Sequence, residues 1–103
     1  MKSKNFNIDK IINDFDNLDP DFVYPQGTPF EEIHKTLNSR GSQIILECGV
    51  RKGLSTSIFT YHSEKNNGHC FSVDIEDCSD VVISDNWSFI KSDDRDVKKI
   101  LNK

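Results

Sequence analysis

The stretch "IILECGVRKGLSTS", residues 44–57, decides how this chain is read. A short apolar run ends on an acid, Glu47; two glycines follow, Gly49 and Gly53, and a Ser/Thr cluster then opens an apparent helix. "QIILEC", residues 43–48, has the continuous apolar character of a parallel strand buried on both faces. Leu54, Ile58 and Tyr61 recur at i, i+4 and i+7, which predicts a helix running to "KNNG". The anomaly is Glu47. Burying a charge costs on the order of several kcal/mol unless it has a partner. An acid at a strand tip beside a glycine has no helix cap to make, so the chain must neutralise Glu47 or use it.

Working outward, the same grammar repeats. "HCFSVDI", residues 69–75, reads as a second strand and carries an acid near its end, Asp74. A short helix or loop is expected over 77–84, and "WSFIK", residues 87–91, is the third strand. It leads through "SDDRD", which contains Asp93, into a helix with Val97, Ile100 and Leu101 turned inward. Upstream, Ile8, Ile11, Ile12, Phe15 and Leu18 lie at helical spacing, and Asp19-Pro20 ends that run. "DPDFVYPQGTP" reads as a loop. Thr28, Pro29 and Glu31 then form a capping box for a second helix, with Phe30, Ile33 and Leu37 as its buried stripe and Gly41 as its stop. After two leading helices the order is β-α-β-α-β-α, an α/β pattern that implies a parallel sheet with right-handed crossovers. The expected division is a helix and loop over 1–27 and an α/β unit over 28–103.

Composition narrows the function. At 103 residues and 35% apolar content the chain is one small domain at most. A net charge of −4 and the absence of a basic stripe argue against nucleic-acid binding. No apolar run approaches the roughly 20 residues that span a bilayer. The N-terminus lacks the apolar core of a signal peptide, so a cytoplasmic location is expected. Cys48, Cys70 and Cys78 are odd in number and form no CxxC pair, which speaks against a disulfide framework. His62, His69 and Cys70 lack zinc-like spacing, so no metal site is expected. His34 reads as packed or solvated, Cys48 and Cys70 as small core residues of neighbouring strands, and Trp87 as core. Tyr24 and Gln26 read as plain loop.

In open α/β sheets, ligands bind beyond the carboxyl ends of the strands. That is where the pattern puts Glu47, Asp74 and Asp93, three acids suited to an ammonium group, a ribose diol and an amino-bearing base. "ECGVRKGLST" resembles the first motif of class I S-adenosylmethionine-dependent methyltransferases in its E-x-G-x-x-x-G-x-S variant, familiar from small-molecule methyltransferases. "FSVDIED" resembles the second motif and "FIKSDD" the third, in family order, and the resemblance covers roughly residues 28–103. It implies a Rossmann-like parallel sheet, here about half of the family's, that binds S-adenosylmethionine. By the same resemblance Gly49 and Gly53 let the backbone turn and approach the cofactor, and Glu47 balances its positive methionine end. Ser55 and Thr56 would bind the methionine carboxylate, Asp74 the ribose hydroxyls and Asp93 the adenine amino group, with Ile75 as apolar surface. Arg51 departs from the commoner G-x-G-x-G form by replacing its middle glycine, and either points outward or reaches the cofactor carboxylate.

The family continues past its third strand with a fourth, whose following loop carries acceptor-binding residues. This chain stops at "KKILNK" without a C-cap. The expectation is therefore a methyltransferase present as its cofactor-binding portion, with a small-molecule acceptor and no catalytic residue identifiable. An oligomer or second chain is a candidate to cover the open edge of strand 43–48. The alternative is a non-catalytic α/β remnant or partner-binding fragment. A dinucleotide-binding domain also wants an acid about 20 residues after a glycine-rich turn, but its pyrophosphate would meet Glu47. "GVRKGLST" is not a P-loop, because its lysine precedes the second glycine.

Overall fold

A computed structural model describes residues 1–17 and 30–92. Eight elements follow in chain order: β1 (Lys2–Ser3), α1 (Ile8–Asp16), α2 (Phe30–Arg40), β2 (Ile44–Cys48), α3 (Leu54–Asn66), β3 (His69–Asp74), β4 (Val82–Ile83) and β5 (Trp87–Lys91). The expectations for Leu18, for the loop after it, for the Thr28–Pro29 cap, for Asp93 and for the last helix lie outside the described residues.

Strands β2, β3 and β5 form a parallel sheet in the order β2-β3-β5, so the strand that is second of the three in sequence lies at its centre. Its register sets Glu47 opposite Ser72 and Cys48 opposite Val73. The α/β class expected from the sequence is present in this three-stranded form. Helix α3 makes the crossover from β2 to β3 and packs on both strands, while α1 and α2 pack on α3. Asn7 caps α1 by accepting from the Lys10 N–H at 3.2 Å. Ile8, Ile12 and Phe15 of α1 bury against Ile58 of α3, with Phe30, Ile33, Leu54 and Tyr61 around them. The stripes read from periodicity on the three described helices are the ones that pack, as far as they are described.

Three expectations are corrected. First, the segment from β3 to β5, expected as a short helix or loop, is not helical, so the β-α-β-α-β-α order does not hold there. That segment is a turn followed by β4, which pairs antiparallel with β1 at the very start of the chain. Val81 and Val82 bury there with Val50 and Cys78, so the connection contributes a core patch of its own. Second, β2 is not buried on both faces: Ile44 is 82% and Leu46 51% exposed. It forms one edge of the described sheet, and only the side of Ile45 and Glu47 is covered. Third, Cys48 is exposed and not a core residue, whereas Cys70 is fully buried as expected. Among the described residues no helix is long and apolar enough to cross a membrane.

Candidate functional site

The site is built around the turn between β2 and α3. Gly49 and Gly53 both sit at φ 89°, in the left-handed region that glycine adopts without a Cβ penalty. At Gly53 a Cβ would also lie 3.0 Å from the Val81 side chain, so the turn is packed down on the β4 segment. At Gly49 the corresponding space is open. Arg51, between them, adopts φ 54° despite its side chain. The turn is held at several points. Gly49 N–H donates to the Val73 carbonyl, Gly53 N–H to the Val50 carbonyl, and the Asn5 side-chain amide to the Lys52 carbonyl.

Beneath this turn lies Glu47, only 6% exposed. Its Oε1 accepts from the Thr56 hydroxyl at 2.5 Å and from the Ser72 hydroxyl at 2.8 Å, and its Oε2 accepts from the Ser55 hydroxyl. Ser72 in turn accepts from the Trp87 indole N–H at 2.8 Å. Among the described residues no cationic side chain pairs with Glu47. Burial pushes its carboxyl above the usual range, the three hydroxyls work against that rise, and the nearby Asp74 charge adds to it. The result is a buried acid held by neutral donors, with no counter-charge among the described residues.

Asp74 stands at the carboxyl end of the neighbouring strand. Its Oδ2 accepts from the Val50 N–H at 2.8 Å and the Arg51 N–H at 3.3 Å, and its Oδ1 from the Glu76 N–H at 2.9 Å. These backbone donors, that of Glu76 first, hold its carboxyl below the ordinary value. Asp74 therefore stays ionised and clamps the glycine turn to β3. The Cys78 thiol adds a weaker donor to the same carboxylate.

Two compartments flank Gly49. One, about 170 Å³, is lined by Gly49, Val73, Asp74, Ile75 and Ser92. The other, about 520 Å³, is lined by Phe30, Gly49, Val50, Arg51, Lys52, Leu54 and Ser55. Ile75 is 69% exposed at the first, as an apolar lip. Of the residues singled out in the sequence, the structure brings Glu47, Gly49, Gly53, Ser55, Thr56, Asp74 and Ile75 to this one end of the sheet. Asp93 lies outside the described residues. Thr56 is fully buried and reaches the site only through Glu47, and the Ser55 hydroxyl is likewise directed at that carboxylate.

Two features escaped the sequence reading. The first is the Ser72–Trp87 relay behind Glu47, for which the signal was a serine at the strand position opposite the acid. The second lies between the helices. His34 Nδ1 is 2.9 Å from His62 Nε2, and His34 Nε2 is 2.7 Å from Asp16 Oδ1. With Asp16 accepting from His34 and His34 accepting from His62, His62 Nδ1 is a buried nitrogen with no partner among the described residues. Burial, followed by the neighbouring His34 and Lys65, lowers the His62 pKa to about 4.

No protein-family model matches this chain, and neither the curated proteins nor the solved structures compared with it contain a match.

Proposed function

We propose that this crevice is the cofactor site of an S-adenosylmethionine-dependent methyltransferase acting on a small molecule, and that the chain is its Rossmann-like cofactor-binding portion. The observation that carries this reading is Glu47, a buried carboxylate without a counter-cation among the described residues, at a strand tip below an open crevice. Such a group is stabilised by a ligand that brings positive charge, and a sulfonium amino acid brings two. Glu47 does not itself line the crevice, so its charge acts on a ligand ammonium there through Ser55, a residue of the crevice wall whose hydroxyl donates to Oε2. On the other side of Gly49, the Asp74 carboxylate lines the smaller compartment and would meet a ribose hydroxyl there in competition with the weak Cys78 thiol donor, while Ile75 covers an adenine face. Asp93 is assigned to the adenine amino group by the sequence resemblance alone. The cofactor supplies an activated methyl group. What these residues supply is orientation, which can account for much of the barrier in a direct displacement.

One observation favours a second reading, a partner-binding fragment without catalysis. The outward face of β2 exposes Ile44 and Leu46 along an unpaired strand edge, the kind of surface that another strand or chain covers.

Calorimetric titration of the purified chain with S-adenosylmethionine, with its demethylated product and with a nicotinamide dinucleotide separates these readings. Saturable binding of the first two is expected, and Asp74→Ala should weaken it tenfold to a hundredfold. That is the loss expected for a charged acceptor of ligand hydroxyls, about 1.5–3 kcal/mol. Binding of the dinucleotide alone overturns the methyltransferase reading. A folded chain that binds none of the three supports the fragment.

A further inference from the structure

The larger compartment carries a feature that the cofactor reading does not require. Among the described residues its wall holds two cations, Arg51 and Lys52, and no acid. Among the described residues neither cation pairs with a carboxylate. Solvated surface cations usually sit on unremarkable backbone, but these two stand on a turn fixed from three sides. Asp74 accepts from the Arg51 N–H, Asn5 donates to the Lys52 carbonyl, and Gly53 closes back on Val50. Arg51 moreover holds a left-handed conformation that a residue with a Cβ disfavours, at φ 54°. Non-glycine residues kept in such conformations cluster at ligand clamps. Phe30 and Leu54 supply apolar walls opposite the charges.

We propose that the compartment of about 520 Å³ is an anion site in which Arg51, assisted by Lys52, clamps a carboxylate or phosphate-like group of a ligand. A guanidinium presents paired N–H donors that match such a group, which a glycine at this position could not do. The inference rests on the proposed function for the identity of one ligand, because the anion has two sources. It is either the carboxylate of the cofactor's own amino-acid end or a charged group on the methyl acceptor.

The test uses the full chain, Arg51→Gln, Arg51→Gly and Lys52→Gln. Arg51→Gly suits the left-handed turn and so keeps the fold if the glutamine variant loses it. The probes are S-adenosylhomocysteine, methylthioadenosine (the same nucleoside thioether without the amino-acid end) and inorganic phosphate. Calorimetry gives the affinities, and amide shifts of residues 50–55 locate the binding. If the cofactor carboxylate is the anion, the Arg51 variants bind S-adenosylhomocysteine at least tenfold more weakly and methylthioadenosine unchanged, with Lys52→Gln showing a smaller loss. If the acceptor supplies it, both nucleosides bind all variants alike, while phosphate shifts the 50–55 amides in the parent chain and not in the Arg51 variants. Binding of phosphate without either nucleoside leaves the anion site standing and removes the methyltransferase reading. Arg51 variants indistinguishable from the parent toward all three probes overturn the inference, as does a parent chain that binds none of them.

Discussion

Two buried ionisable groups contact α3, Glu47 near its start and His62, a residue of the helix itself, two turns on; burial favours the neutral form of both, but their partners differ. Glu47 is surrounded by donors, those of Ser55, Thr56 and Ser72, which favour its charged form against burial. His62 has one imidazole neighbour and an orphan nitrogen, which favours its neutral form. Both residues are nearly sealed, Glu47 at 6% and His62 at 2% exposure, so depth does not distinguish them. The difference lies in what surrounds each. A cradle of hydroxyls offsets part of the cost of a charge at Glu47, whereas a histidine between helices is a packing element whose protonation is a liability. Buried polar groups are therefore informative through their partners, and of these two clusters the first is the one that adjoins a crevice.

The largest expected effect comes from the second cluster. A histidine whose pKa falls from its ordinary 6.5 to about 4 on folding binds its proton more weakly in the native state than in the unfolded chain. Its stabilising contribution is thus full above pH 6.5, declines as the pH falls and is gone below about 4. The loss amounts to roughly 3 kcal/mol, a large share of the 5–15 kcal/mol typical of a whole domain. Glu47 has the opposite sign. Its carboxyl is raised on folding, so its penalty is present above its folded pKa and is relieved as the pH falls through that value. Urea denaturation at a series of pH values between 7 and 4 should show net acid destabilisation in the parent chain. The slope should flatten in His62→Gln, which cannot titrate, and steepen in Glu47→Gln. A steeper slope in the histidine variant would break the contrast between the two clusters.

Glu47→Gln also separates structure from ligand. The amide keeps the shape and one acceptor oxygen while removing the desolvated charge, so stability at pH 7 should hold or rise slightly. Binding of a cationic ligand should fall tenfold to a hundredfold, about 1.5–3 kcal/mol for a charged hydrogen bond. Calorimetry on the variant, with a denaturation curve beside it, reads both quantities. A variant that loses stability and keeps its affinity would make Glu47 a structural group, of the same kind as His62.

The sequence made the two clusters unequally legible. Glu47 stood out because an acid ended an apolar run, and the parallel strands were readable because "QIILEC", "HCFSVDI" and "WSFIK" each carry a local apolar signal. Whether the chain neutralises this acid or uses it was not readable, for a geometric reason. The hydroxyls that satisfy it come from the first turn of the following helix and from the facing strand, and the register Glu47 opposite Ser72 appears only on folding. Positions 34 and 62 are 28 residues apart on different helices, and no periodicity links them. The β1–β4 ladder was unreadable because two-residue strands are shorter than any alternation that marks a strand. The exposure of Ile44 and Leu46 was missed for another reason. An apolar run states what a strand is suited to meet, not what covers it in this chain.

The smallest effect tests whether the donors around Glu47 act as a chain. The Trp87 indole N–H donates to Ser72, which leaves the serine's own proton free to point at Glu47 Oε1. Trp87→Phe removes that donor while keeping an aromatic ring against Phe89, 6.0 Å away between centroids. Ser72 is fully buried, so its hydroxyl oxygen would lose its indole donor. The expected cost is about 1 kcal/mol, the net worth of one such hydrogen bond. The contrast is sharpened by what moves with it. A serine no longer polarised by the indole is a weaker donor, so the Glu47 carboxyl should titrate at a higher pH than in the parent chain. The His62 ring, which makes no contact with this relay, should titrate unchanged. Side-chain carbon shifts of Glu47 and ring-proton shifts of His62, followed by NMR through the same acid titration, report the two groups independently. Parallel movement of both would mean that the substitution loosened the core as a whole, and the relay would then have no separate role.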